Sequence, residues 1–431
     1  MKPLDLFPPT REAALARVAA VRPSDYARSR NAIEGAVTQL SPYITHGFLS
    51  LPEVLAGVAA KHRLDVQHKF VFELGWRAYF RHVWQHLGPG ILDSLHRGLL
   101  PEHGYAFEVP ADIRQARTGV PAIDMAVRTL YATGYLHNHA RMWLASYVVH
   151  LRKVHWRAGA DWLVSHLLDG DLASNHLSWQ WVAGTGSSKP YLFNADNVAR
   201  YAPQAWHSAG SVIDCSYESL DAMARSSRPV KATPQGDGVE EPAVWSVPQS
   251  VPSSAPQASD VDGRDVWLVH PWALGEPPAD LPAGSVCVGL RLPEYHHAWP
   301  WSSARWAFVN TRMAALTPVR WHADRQTLTQ ALAGARSVQT LADPHVSALL
   351  PPQVVQRQPL NLFSDVKMHC TSFSAWWNRT TRGATELNDL PGLAALSRGG
   401  PAGPLFEARN GTASLGANPP HPPNTPVRDA R

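Results

Sequence analysis

The sequence predicts a multidomain protein in which an all-α domain is followed, across a linker, by a small α/β domain. Three observations carry this. From about residue 11 to 205 apolar residues recur at helical spacing with no strand-like alternation. Around residue 225 the composition turns to Pro, Ser, Gln and Gly. Beyond that, short buried-strand patterns alternate with helical ones. At 431 residues and 45% hydrophobic content, the chain is long enough for two or three domains with real cores.

Taken in order, the all-α domain covers 11–210. Residues Leu64 to His86 place Phe72, Trp76, Tyr79, Phe80 and Val83 at helical spacing, and LGPG ends the run. Ile123, Val127 and Leu130 mark a further helix, closed by Thr133-Gly134, and His139 to Val154 and Gly159 to Leu168 continue the pattern. Residues 225–262 read as a flexible Pro/Ser-rich linker with nothing to bury. In 264–383, VWLVH, SVCVGL and PVRWHA read as strands, with RWAFVNTRMAAL and TLTQALAGA as the helices between them, which predicts a parallel, Rossmann-like sheet. The tail, 398–431, has the composition of a disordered segment.

Composition excludes several classes. No run of about 18 uncharged apolar residues is present and the amino terminus lacks the apolar stretch of a signal peptide, so the expected location is cytoplasmic, without membrane partners. Cys215, Cys287 and Cys370 are too few for a four-cysteine cluster and too scattered for a CxxC metal site. His137 and His139 fall on different helix faces, so no metal pair forms and no metal is expected. A net charge of +4 permits nucleic-acid binding without demonstrating it. The 17 tryptophans and 21 histidines say more: indoles in such number point to a ring-shaped ligand, stacking or electron transfer, although large cores also absorb tryptophan.

Four segments carry candidate chemistry. In FELGWRAYFRHVW, Glu73, Trp76, Arg77, Phe80 and Trp84 share one helix face, which is either an intrahelical Glu73–Arg77 pair beside a core stripe or a ligand wall. In LHNHARMWLASY, Asn138, Arg141 and Met142 gather an amide, a cation and a thioether on one side. DGDLASNHLSWQWVAGTG clusters Asp169, Asp171, Asn175 and Trp179. The two acids can end and cap helices, or accept hydrogen bonds from a ring N–H or a ribose hydroxyl. Without a glycine-rich cradle, and with no nearby lysine before Lys189, this edge suits a flat heterocycle better than a phosphate. In VTQLSPYITHGFLS, Thr38 and Ser41 stand at a helix start able to meet a phosphate, although Ser-Pro is above all a helix-start signal.

In this order the four segments, VTQLSPYITHG, ELGWRAYFRH, LHNHARM and DGDLASN-x3-WQWVAGTG, resemble the FAD-binding helical domain of the DNA photolyase and cryptochrome family. The resemblance spans about residues 20 to 205. It implies FAD as cofactor, UV-damaged DNA carrying pyrimidine dimers as partner, and a deoxyribodipyrimidine photo-lyase activity. By the same resemblance Thr38, Leu40 and Ser41, with Tyr26 as a looser match, take the phosphates. Arg77 and Asn138 contact the flavin, Arg141 and Asp169 form a salt-bridged pair at the isoalloxazine edge, and Asp171 lies at the ring edge. Asn175 faces flavin N5, where an amide can donate or accept. Glu73, Trp76, Met142 and Trp181 line the dimer cavity, and Trp179 and Trp156 begin the tryptophan chain that reduces photoexcited flavin.

The sequence also departs from the family. His103 stands where the third chain tryptophan is usual, with Tyr105 two residues on. His139 replaces a basic residue, and His176, Leu177 and Ser178 put bulkier material beside the flavin than the usual Asn-Gly-Gly. Only about twenty residues precede the helical domain, where the family normally has an α/β antenna domain, so the domain at 264–383 reads as that antenna relocated or as an unrelated α/β interaction domain. A second chromophore stays open. Three functions follow: light-driven dimer repair, a cryptochrome-like blue-light sensor acting through linker and tail, or a flavin-binding fold that has lost its photochemistry.

Overall fold

The computed structural model describes residues 3–234, 236–248 and 254–398. The predicted tail, apart from Arg398, lies outside the described residues. Helices fill the first half of the chain and a five-stranded sheet follows. The helices that build the site are labelled α1 (Ser41–Thr45), α2 (Lys69–Leu87), α3 (Asn138–Ser146), α4 (Trp156–His166) and α5 (Leu172–Ala183); α6 (Ser303–Leu316) and α7 (Phe373–Thr380) belong to the α/β half.

Local chemistry sets these boundaries. The His68 ring accepts from the Phe70 N–H at the start of α2, and Gly88, at φ 53°, ends it. At α5 the Asp171 carboxylate accepts from the Ser174 N–H, capping the helix, and Gly184 closes it in the left-handed conformation. The long helix expected from His139 to Val154 is interrupted: α3 gives way at Tyr147 to a five-residue π-turn, Tyr147–Leu151, wholly buried.

The strands are β1 (Val244–Trp245), β2 (Asp265–Val269), β3 (Val286–Arg291), β4 (Trp301–Ser302), β5 (Val319–His322), β6 (Ser337–Leu341) and β7 (Val355–Arg357). The main sheet is parallel throughout, in the order β5-β3-β2-β6-β7, with Val266 opposite Val286 on one side and Val338 on the other. β2 is buried along its whole length, as a central parallel strand requires. The sequence pattern marked three of these five strands. SVQTL alternates in burial and VQR is a short edge strand, so neither shows the continuous apolar run that marked the others.

The described residues of the expected linker form a strap tied to the helices and to the α/β half through hydrogen bonds. The Val230 N–H donates to the Leu151 carbonyl, that of Thr233 to Thr118 and that of Val239 to Gln115. Glu241 receives Arg114 Nη1 at 2.5 Å and Trp162 Nε1 at 2.9 Å. β1 then pairs antiparallel with β4, tying the strap to the α/β half. Composition missed this because the strap is held largely through its backbone and one carboxylate, with only Val230 and Val239 packed against the helical core.

The two halves share one apolar core. Phe7, Tyr43, Phe48 and Val71 pack into the same cluster as Leu268, Trp301 and Phe308, while a second cluster around Trp143, Tyr147 and Leu163 belongs to the helices alone. Polar contacts lock the seam. The His46 ring bridges the Pro271 and Leu168 carbonyls at 2.6 and 2.9 Å, and Arg305 donates to the Gly170 carbonyl at 2.6 Å while its guanidinium lies 3.9 Å from the Trp301 ring centre.

Candidate functional site

Helices α1, α2, α3 and α5 surround a cavity of about 460 Å³. On α5, Asn175, Ser178, Trp179 and Val182 fall on one helical stripe and all line it. Trp179 reaches that position because α4 carries Gly159 opposite: a Cβ there would run into the indole. Of the residues the sequence singled out, Tyr26, Thr38, Leu40, Ser41, Glu73, Trp76, Arg77, Asn138, Arg141, Met142, Asp169, Asn175, Trp179 and Trp181 all line this cavity. Asp171 and Trp156 do not.

At the cavity's inner end Arg141 Nη2 donates to both carboxylate oxygens of the buried Asp169, at 2.9 and 2.8 Å, and its Nε donates to the Leu136 carbonyl. Asn175 donates through Nδ2 to the Ala160 carbonyl at 2.9 Å, leaving Oδ1 available as an acceptor. Asn138 Nδ2 lies 3.6 Å from the Met142 sulfur, so these two side chains form one patch. Glu73 is held by Arg30 at 3.2 Å and Lys69 at 3.3 Å, so the pair read as Glu73–Arg77 is replaced by two other cations. Burial, and then the Glu73 charge, push the Tyr26 hydroxyl well above the usual phenol range, which keeps it a donor. Thr38, Leu40 and Ser41 stand at the start of α1, a helix of only five residues.

Asp171 is the main correction. Its fully buried carboxylate takes Arg81 Nη2 at 2.7 Å, lies 3.8 Å from Arg77 and 3.9 Å from His345, and caps α5. Burial alone would raise its pKa, but Arg81, Arg77 and His345 outweigh burial and hold it far below the usual carboxylate range. It is an anchor between halves, since Arg81 also binds Asp343 at 3.0 Å and the Leu172 N–H donates to His345 Nε2. Arg81, four residues beyond Arg77 on the same face of α2, was readable from that spacing. Arg77 itself donates to Thr45 Oγ1 at 3.1 Å.

The departures also land elsewhere than expected. His176 is buried with Nε2 on Asp161 at 2.8 Å and its ring edge-on to Trp299 of the α/β half, and Leu177 joins the shared core. Only Ser178 of the three faces the cavity. His139 stacks on Tyr201 at 4.9 Å, away from the cavity wall. Trp156 donates through Nε1 to Ser94 and continues into His155 at 5.7 Å, which meets Tyr105 at 6.1 Å, while His103 is exposed.

The cavity thus gathers hydroxyls, an ion pair, an amide and aromatic rings among helices, a lining suited to a nucleotide-type ligand. Residues 70–212 match the model described as FAD binding domain of DNA photolyase. The curated deoxyribodipyrimidine photo-lyase of Streptomyces griseus is 35% identical over 208 residues, covering 44% of each chain. That of Escherichia coli is 34% identical over 190 residues, covering 39% of this chain and 38% of its own. Among solved structures, an archaeal photolyase from Sulfolobus tokodaii with two FAD molecules superposes with a TM-score of 0.40 at 26% identity, covering 52% of each chain. Over residues 70–212 the helical part of the chain is thus similar to the FAD-binding domain of DNA photolyases. The matches span less than half the length of these curated relatives.

The residues present fit FAD. The donor set matches its parts: the Arg141–Asp169 pair and the Asn175 amide can meet a ring with N–H and C=O edges, and the Thr38, Ser41 and Tyr26 hydroxyls can meet phosphate and ribose oxygens. Among the described residues no helix is long and apolar enough to cross a membrane, and no cluster of histidine, cysteine and carboxylate suits a metal.

Proposed function

We propose that the protein is a light-driven, FAD-dependent lyase acting on pyrimidine dimers flipped out of UV-damaged DNA. The observation that carries this reading is that Glu73, Trp76, Met142 and Trp181 line the same cavity as the Arg141–Asp169 pair and Asn175. Reduced FAD, when bound and excited by light, supplies the electron that opens the cyclobutane ring and takes it back afterwards.

The chain's own residues do the rest. Tyr26, Thr38 and Ser41 would hold the phosphate end, and Arg141–Asp169 with Asn175 the ring end. Trp181, 40% exposed, forms the rim, and Trp76 lies deeper. Their indoles offset the stacking lost on extrusion, at about 1–3 kcal/mol per base. Glu73, fixed by Arg30 and Lys69, presents an acceptor to a base N–H. Trp179 lines the cavity, and Trp156, His155 and Tyr105 form a run of neighbouring rings that could serve as the outer part of the electron route.

The test is illumination of UV-irradiated oligothymidylate with the reduced, flavin-loaded protein. Dimers should disappear under visible light and persist in the dark. Persistence in the light overturns the proposal.

A further inference from the structure

We infer that Phe373, contributed by the C-terminal α/β half, is a positioning residue for Trp76, so that both halves of the chain build the wall on which a nucleobase stacks. The inference rests on the reading that the cavity receives a flipped base.

The Phe373 ring lies parallel to the Trp76 indole, 4.1 Å between centroids at 14°. Trp76 also lines the cavity, with Phe80 tilted against it at 5.6 Å and Tyr79 edge-on at 5.9 Å, so Phe373 is the ring stacked flat behind the indole whose cavity side a ligand would meet. Phe373 is itself fixed: Phe72 meets it edge-on at 4.6 Å and Tyr79 at 5.7 Å, and it is buried. The segment that carries it is anchored to α2 at two further points. Tyr79 Oη donates to the Cys370 carbonyl at 3.2 Å, and the Cys370 N–H donates to His82 Nε2 at 3.1 Å. α7 approaches so closely that a Cβ on Gly75 would stand 2.5 Å from the Trp377 ring, so this glycine is what admits the helix.

A backed indole binds a base better than a free one. An indole able to turn must be immobilised when the base arrives, whereas one already held against a ring meets that cost in folding. Without Phe373 the indole can lean back into the vacated space, and the base loses its flat partner. This alters the affinity for an extruded base and leaves the flavin end, lined by Arg141, Asp169 and Asn175, untouched.

The experiment compares the full-length wild type with Phe373→Leu, Phe373→Tyr and Phe363→Leu. It measures flavin content and the affinity for oligothymidylate with and without UV irradiation. Phe373→Leu keeps most of the volume but removes the ring, and should weaken binding of the irradiated strand roughly tenfold while leaving flavin content and affinity for the unirradiated strand unchanged. Phe373→Tyr keeps the stack and should bind like wild type. Phe363→Leu thins the same aromatic cluster through Trp376 and Trp377 without touching Trp76, and should lower only the melting temperature. Wild-type affinity in Phe373→Leu, or an equal loss in Phe363→Leu, overturns the inference. A wild type with no preference for the irradiated strand overturns the functional reading and the inference with it.

Discussion

Asp169 and Asp171, two residues apart in DGD, have opposite assignments. Asp169 faces the cavity and pairs with Arg141; Asp171 faces the α/β half and pairs with Arg81. Asp169→Asn removes a charge-assisted pair of hydrogen bonds, an effect of about 1.5–3 kcal/mol, and should lower flavin retention by tenfold or more, read from absorbance of the purified protein. Asp171→Asn removes one of the two carboxylates that hold Arg81, leaving Asp343, and weakens the α5 cap, an effect of about 1.5–3 kcal/mol. It should lower the melting temperature while the flavin spectrum of the folded fraction is kept. The reverse pattern would show that Asp171, not Asp169, serves the ligand. Both acids were visible in the sequence as one polar cluster, but the side each faces depends on Arg81 and Asp343, which are far apart in the chain and meet only in the fold.

At the scale of elements, the strap matters most. Burial would raise the Glu241 pKa, but hydrogen bonds from His166 and Arg114 outweigh burial and hold it at about 2. A carboxylate lowered in this way stabilises the fold above its unfolded value near 4.3 and loses that contribution as pH falls toward about 2. Glu241→Gln should therefore flatten the stability profile between these values and cost about 1 kcal/mol at neutral pH, as followed by urea unfolding across pH. An unchanged acid limb would mean that the strap is not held by this residue. Helix positions were largely legible because apolar periodicity is local: the reading Leu64 to His86 found α2, although the His68 cap sets its start later. The strap was not legible, because Val230, Thr233 and Val239 bind through backbone N–H groups that composition does not report.

For the whole molecule, the partly buried set Arg77, Arg81, Asp171, Asp343 and His345 spans both halves, and one apolar core runs through them. The two halves should unfold together. Calorimetry of the full chain should show one transition with calorimetric and van't Hoff enthalpies equal; two resolved transitions would show that the seam contributes little. The order of domains and the parallel sheet were readable from periodicity, and the cavity from four ordered motifs. The docking was not. His46, which sits within the VTQLSPYITHG motif, bridges Leu168 to Pro271, and His176, which reads as bulk beside a ligand, meets Trp299. A motif records which residues recur together, while a seam is made by residues with no shared pattern.

The docking of α7 on Gly75 also bears on how the protein is made. α2 is synthesised long before Phe373 and Trp377, and at ribosomal speeds the interval is on the order of tens of seconds. Through that interval the face formed by Phe72, Gly75, Trp76 and Tyr79 has no cover, and Arg81 waits for Asp343. The nascent helical half therefore presents an aromatic surface of the kind that chaperones hold, and a stalled or truncated chain would aggregate through the surface that later forms the back of the ligand wall.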